Sequence, residues 1–275
     1  MNKHQGFMAL VIKGLMWIYS LITFSILIYM IYNSFRTRQD ILSNTFGMPE
    51  KLNLNNFKKL FVNDHFYRYF LNSTVILVIS LILITLLSSM TAYGIGRYKF
   101  KFRKFTRIYF LIGLMFPVQL GIVPIFLLMK SLNLIDSHAS VILILSAGIS
   151  MPVFMLTDFF ANLPNEIYEA AIIDGAGEWK TFYKIMFPMA KPIVFSICII
   201  MSVQVWNQFF MPLIFLQSEA YKTIPLIIVK YTKNLLSTMD LAMAASVLST
   251  VPILIIFVIF SERILEGVAT GGVKG

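Results

Sequence analysis

Residues Glu169 to Pro188 read EAAIIDGAGEWKTFYKIMFP, a polar, glycine-punctuated stretch between long apolar runs. Just ahead of it, Pro164 suits the first position of a helix, where its missing N–H costs nothing, and Glu166 falls in the positively polarised first turn. A short helix is expected to start there. Ile167, Ala170, Ala171 and Asp174 recur at i, i+3, i+4 and i+7, so one face carries mostly small side chains, with Glu169 beside it. Small residues permit close approach. Gly175 and Gly177 end that helix and turn the chain, and Trp179, Phe182, Tyr183 and Met186 give the next segment its own helical stripe up to Pro188. The expectation is a hairpin of two short helices at an angle, either a docking device or an ordinary surface hairpin between two spans.

Of the 275 residues around this stretch, 58% are hydrophobic and only 13% charged, against roughly 25% charged in a soluble domain. Mean hydropathy is +0.78. Apolar stretches run over 14–35, 69–96, 108–129, 139–157, 192–218 and 241–261. Each is near the ~20 residues that cross a bilayer as a helix. The fold class read from this is an all-α membrane protein with six transmembrane helices. The first stretch is longer than the roughly 7 to 15 apolar residues of a cleavable signal peptide, and no small-x-small site follows it.

The net charge of +10 does not point to nucleic acid. Arg97, Lys99, Lys101, Arg103, Lys104 and Arg107 cluster directly beside a span, which the positive-inside rule explains. That rule places the loop after the second span in the cytoplasm, together with both termini and the loop 162–190. The segment 36–68, with Pro49 and a run of asparagines, is expected to be an external, partly ordered loop.

Other chemistries find little support. The single cysteine, Cys198, lies in an apolar span, and His4, His65 and His138 lie in separate connecting segments, so no metal site is expected. No G-x-x-x-x-G-K-[ST] sequence occurs, so nucleotide hydrolysis would belong to another subunit. No span carries an ionisable residue near its centre, which argues against a proton- or sodium-coupled carrier and against a charged pore. No carboxylate pair, histidine cluster or activated nucleophile at membrane depth supports a membrane-embedded enzyme, and catalytic residues are expected to be none.

Within the spans, Pro117, Gly121 and Pro124 in the third and Gly148 and Pro152 in the fourth predict bends. The fifth carries the most polar patch, Gln204, Trp206, Asn207 and Gln208, with Pro212 just beyond. Gln204, Asn207 and Gln208 fall at i, i+3 and i+4 and are expected to share a face. Neutral amides and an indole suit sugar hydroxyls, making these four translocation-pathway candidates. The same side chains also serve as interhelical hydrogen-bond glue.

The spacing Glu169-Ala170-Ala171, three residues, Gly175, nine residues, Ile185, two residues, Pro188 resembles the EAA loop of the permeases of bacterial binding-protein-dependent ABC importers of the first type. Phe187 departs from the usual Leu before the proline. Ser34-Phe35, Asn72-Ser73, Ala92-Tyr93-Gly94 with Arg97 and Phe100, the Trp206-Asn207 pair, and the closing Gly267-x-x-x-Gly271-x-Val273-Lys274-Gly275 resemble the carbohydrate branch. The likeness covers nearly the whole chain.

That resemblance implies a single transmembrane domain, 1–275, of the type I importer permease fold, with a cytoplasmic coupling-helix hairpin at 162–190 and a cytoplasmic tail at 262–275. It implies that Glu169, Ala170, Ala171, Asp174, Gly175, Ala176, Phe182, Ile185 and Pro188 couple to a separate ATPase. By likeness to the maltose importer, Gly271, Gly272, Val273, Lys274 and Gly275 would reach the ATPase dimer. Implied partners are a homologous second permease, an ATPase dimer, an extracytoplasmic sugar-binding protein and membrane lipid. ATP and Mg would be used by the ATPase, with no cofactor on this chain. The expected setting is the bacterial cytoplasmic membrane, with both termini inside, and the expected function is sugar or oligosaccharide import by alternating access. Alternatives are the same architecture carrying a compatible solute, amino acid or glycerol phosphate, or a stand-alone channel or secondary carrier.

Overall fold

The computed structural model describes residues 3–47 and 52–272, with side chains for 8–47 and 52–260. Among the described residues every regular element is helical. Long apolar α1 (Lys3–Asn33) is followed by the short α2 (Arg38–Ser43) and α3 (Asn55–Lys58), the latter running into a π turn over Lys59–Asn63. Next come α4 (Phe66–Arg97), α5 (Arg103–Met115), a 3-10 turn at Val118–Gly121 and α6 (Ile122–Ser131). The chain continues through α7 (His138–Ala147), α8 (Ser150–Asn162), α9 (Asn165–Ile173) and α10 (Glu178–Thr181), then a π turn over Phe182–Met186 and α11 (Phe187–Met189). It closes with α12 (Lys191–Trp206), α13 (Phe210–Phe215), α14 (Ile224–Thr232) and α15 (Leu235–Gly272).

Three candidate spans each fall within one long element, Met8–Asn33, Phe66–Arg97 and Leu235–Phe260, the last kinked at Thr238, whose φ of −135° is not helical. The third and fourth bend as their prolines and glycines predict, by 92° between α5 and the segment Val118–Ser131, and by 41° across the break before α8. Pro124 and Pro152 themselves sit in the first turns of α6 and α8, where a missing N–H breaks no helical bond. The fifth stretch is not one helix over 192–218. α12 stops at Trp206, and α13 resumes at Phe210. α15 continues as helix through most of the expected tail, to Gly272, while Val273, Lys274 and Gly275 lie outside the described residues.

The chain divides into two compact units, one made of Met1–Tyr67 and Ile224–Pro252, the other of Arg68–Thr223 and Ile253–Gly275. In the first, Arg36 is fully buried. Both terminal nitrogens of its guanidinium donate, to the Tyr32 hydroxyl, Asn33 Oδ1 and the carbonyls of Asp40 and Asn44 at 2.8–3.1 Å, so neutral oxygens satisfy the buried charge everywhere but at Nε. Asn56 donates to the carbonyls of Ser34 and Arg36, and Lys230 pairs with Asp64 at 2.6 Å. The described residues of the expected loop 36–68, namely 36–47 and 52–68, are thus tied together by hydrogen bonds.

In the second unit, helices approach closely where glycine allows it. A Cβ on Gly96 of α4 would lie 2.8 Å from the Thr157 carbonyl oxygen of α8. At one end, Asn72 donates to the carbonyls of Ala220 and Lys222, and Asp136 accepts from the N–H groups of Gln217 and Ser218, which ties the 216–223 loop to α4 and to the α6–α7 connection. The hairpin joins the same unit through Tyr93 of α4, whose ring meets those of Tyr98, Phe160 and Phe182 at 5.0–5.7 Å.

Candidate functional site

The hairpin forms as its sequence predicts, with one shift at the start. Pro164 is the residue before α9 rather than its first helical residue, with extended ψ of 136°, and Glu166 lies in the first turn. At the other end, Gly175 has φ of +75°, a left-handed conformation that costs residues with a Cβ. Its N–H bonds the Ile172 carbonyl at 3.0 Å, and the Ala176 N–H bonds that of Ala171 at 2.9 Å. This pair of bonds is the Schellman arrangement, and it fixes the turn. Gly177 is ordinary extended backbone preceding α10.

The expected coupling residues separate into two groups. Glu169, Ala170, Asp174 and Gly175 are exposed along α9 and the turn. Ala171, Ala176 and Phe182 are buried, and Ile185 and Pro188 are half-buried. Ala171, Ala176 and Phe182 pack within the hairpin and against its neighbours, while Ile185 and Pro188 keep part of their surface exposed.

The second-limb stripe also differs from expectation. Phe182 and Met186 are buried, whereas Trp179 and Tyr183 are 73% and 69% exposed. The π turn over Phe182–Met186 departs from the α-helical repeat, so positions that would share one face are divided. Large apolar side chains are therefore exposed on both limbs of the hairpin. Ile173 is 84% exposed, joined by Ile172, Trp179 and Tyr183. Sequence reasoning had placed Trp179 and Tyr183 on the hairpin's own stripe and assigned Ile172 and Ile173 nothing. A short helix with bulky apolar residues on both faces was the available signal.

A polar clamp secures the second limb. Glu178 Oε1 accepts from the Tyr168 hydroxyl at 2.5 Å, and Oε2 accepts from the Tyr98 hydroxyl. These bonds, that from Tyr168 foremost, hold the Glu178 carboxyl below its ordinary range. The Tyr168 phenol is pushed up to about 12 by the same contact. Arg97 lies over the Tyr168 ring at 4.7 Å and donates to the carbonyls of Leu163 and Asn165, bracing the start of α9. The end of α4, the entry to the hairpin and its second limb form one hydrogen-bonded group.

The pathway candidates are not gathered on one helical face. Because α12 ends at Trp206, Asn207 is its C-cap and Gln208 lies beyond the helix. Asn207 Nδ2 donates to the Val203 carbonyl, and Gln208 Oε1 accepts from the Phe210 N–H, so both amides bond their own backbone across the break. Trp206 is buried against Phe70, and Gln204 is exposed. No group of three or more metal-ligating side chains occurs among the described residues.

Known proteins share both this sequence and this architecture. Residues 84–269 match the family described as binding-protein-dependent transport system inner membrane component. The chain is 32% identical over 266 residues, 96% of its length and 88% of the relative's, to the diacetylchitobiose uptake system permease protein NgcG of Streptomyces coelicolor. It is 34% identical over 255 residues, 90% of each chain, to the arabinooligosaccharides transport system permease protein AraQ of Halalkalibacterium halodurans. A chain of a bacterial ABC transporter involved in alginate import superposes with a TM-score of 0.82 at 18% identity, covering 95% of this chain and 98% of that one. Its likeness concerns the fold. Three long apolar helices, up to six crossings when each bent pair counts as one, agree with matches across most of the length, and the chain belongs to the binding-protein-dependent transport system inner membrane components, the multi-pass permease subunits of ABC importers.

Proposed function

We propose that this chain is one of two homologous permeases forming the pathway of an ATP-driven sugar or oligosaccharide importer in a bacterial cytoplasmic membrane. In this reading it works by alternating access and takes its sugar from an extracytoplasmic binding protein. The hairpin docks on a separate ATPase, which binds the ATP and Mg. Both termini and the hairpin face the cytoplasm, as the basic segment 97–107 favours. The observation that carries the reading is the exposed set Glu169, Ile172, Ile173, Trp179 and Tyr183 on a hairpin whose other side is buried and clamped. Exposed apolar groups on a hairpin that also presents carboxylates, Glu169 among them, suit a partner groove with a basic residue. A sugar cargo is favoured by the relatives whose names specify oligosaccharide uptake.

Two further features fit. Side chains of α1 from Met8 to Ile26 are exposed on every side, as suits a helix bordered by lipid and a second permease. Asn207 and Gln208 are engaged with their own backbone, which favours the partner permease as the main sugar contact. The tail beyond Gly271 and Gly272, through Val273, Lys274 and Gly275, is proposed to reach the ATPase dimer.

The test is purification from the native membrane in mild detergent, with co-purifying proteins identified by mass spectrometry. An ATPase and a second permease are expected. A chain reproducibly alone that still moves solute in liposomes would overturn the reading in favour of a carrier. Glu169→Lys removes a charge-assisted contact worth about 1.5 to 3 kcal/mol, so ATPase recovery should fall at least tenfold with membrane insertion intact.

A further inference from the structure

The six cations between Arg97 and Arg107 divide into two sets of three. Arg97 is held by the carbonyls of Leu163 and Asn165 and by the Tyr168 ring. Arg103 donates from Nε and Nη2 to the carbonyls of Ile95 and Gly96 at 2.6 and 2.7 Å, closing the end of α4. Arg107 pairs with Asp158 of α8. All three arginines thus brace the fold, which suits their planar, multiply donating heads.

Lys99, Lys101 and Lys104 remain exposed, and none meets a carboxylate among the described residues. Between and beside them stand Phe100, Phe102 and Phe105, at 43%, 63% and 68% exposure. This alternation occupies the short connection between two apolar helices. α4 ends at Arg97, and α5 begins at Arg103, after which Ile108, Tyr109, Ile112 and Met115 are exposed. No residue of α5 is fully buried. The lysines therefore sit at the polar end of helices with exposed apolar side chains, which in a chain that spans a bilayer meet lipid or a neighbouring helix. Lysine stems reach outward toward phosphates there, while phenyl rings sink beneath them.

We propose that Lys99, Lys101 and Lys104, with Phe100, Phe102 and Phe105, form a binding surface for the headgroups of anionic glycerophospholipids. An acidic protein face would satisfy the lysines but leave three interleaved phenyl rings without the apolar layer that the adjoining helices already imply. The consequence reaches the hairpin, because Tyr98, adjacent to Lys99, is a donor to Glu178. The inference needs only that the chain spans a bilayer, so it stands or falls separately from the ATPase reading.

Each lysine near an anionic surface contributes roughly fivefold to binding. The test uses purified chain in detergent, titrated with dioleoylphosphatidylglycerol or dioleoylphosphatidylcholine and read by native mass spectrometry. Wild type should prefer the phosphatidylglycerol, and the combined Lys99→Gln, Lys101→Gln and Lys104→Gln variant should lose that preference by at least tenfold. A charge-matched control with Lys58→Gln, Lys59→Gln and Lys233→Gln should keep it. Unchanged preference in the first variant, or equal loss in both, overturns the proposal. So does a first variant that binds phosphatidylglycerol normally yet loses a protein that co-purifies with wild type, since the loop is then a protein contact.

Discussion

The two limbs of the hairpin put similar side chains to opposite use. Along α9 the larger apolar groups, Ile172 and Ile173, face water, and only Ala171 is buried. In the second limb Thr181, Phe182 and Met186 are buried, with Phe182 against Tyr93 and Phe187, while Glu178 is clamped by two tyrosines. Equal hydrophobicity therefore does not mean equal roles. The second limb anchors to α4 through Phe182 while Trp179 and Tyr183 stay exposed, and the first limb is a surface held out by that anchor.

The sharpest way to break this contrast is to truncate one side chain in each limb. Phe182→Ala removes a buried ring and should destabilise the chain by about 3 to 5 kcal/mol, seen as a lowered unfolding temperature in detergent. Ile173→Asp should leave that temperature within error and instead reduce ATPase recovery at least tenfold. If Ile173→Asp unfolds the chain, or Phe182→Ala leaves its stability unchanged, the anchor and the surface have been assigned wrongly.

Gly175 links the limbs, and its effect should be intermediate. The site has room for a side chain, with nothing within 4 Å of a built Cβ, but φ of +75° strains any β-branched residue. Gly175→Val should cost about 1 to 3 kcal/mol and separate ATP hydrolysis from transport in the reconstituted importer. Wild-type coupling in this variant would count against the turn as the element that sets the docking angle.

The smallest effect belongs to the Glu178 clamp, which is solvent-exposed and screened. Its carboxyl is held below the ordinary value by bonds from Tyr168 and Tyr98. Such a group favours the folded state above the ordinary carboxylate range and loses that contribution as pH falls through its lowered value. Hydrogen-exchange protection across 165–186, taken relative to intrinsic exchange at each pH, should therefore be flat through neutral pH and fall only in acid below the ordinary carboxylate range. Glu178→Gln should exchange faster at neutral pH and lose the acid step. An acid step that persists in the variant would assign it to another group.

The hairpin turn was legible because Gly175 and the spacing around it serve a local backbone need, and local needs are written in adjacent residues. The two bent spans were legible for the same reason, through Pro117 and Gly148. The Glu178 clamp was not, because Tyr98 lies 80 positions away and nothing near either residue specifies the other. The stripe at Trp179, Phe182, Tyr183 and Met186 misled because it presumes 3.6 residues per turn, and the π turn changes that count. At the fifth span, Asn207 and Gln208 matched a helical face only while the helix was assumed to continue. Their capacity to bond nearby backbone was the overlooked alternative, and it coincides with the stop at Trp206.

That early stop also bears on bilayer thickness. With 16 residues, α12 rises about 24 Å, short of the ~30 Å hydrocarbon layer. Were α12 to cross upright from the boundary at Lys191, the peptide groups around Asn207 and Gln208 would lie inside the apolar layer, so the side-chain bonds to Val203 and Phe210 replace water that is absent at that depth. The crossing is therefore completed only beyond the break, where α13 resumes at Phe210.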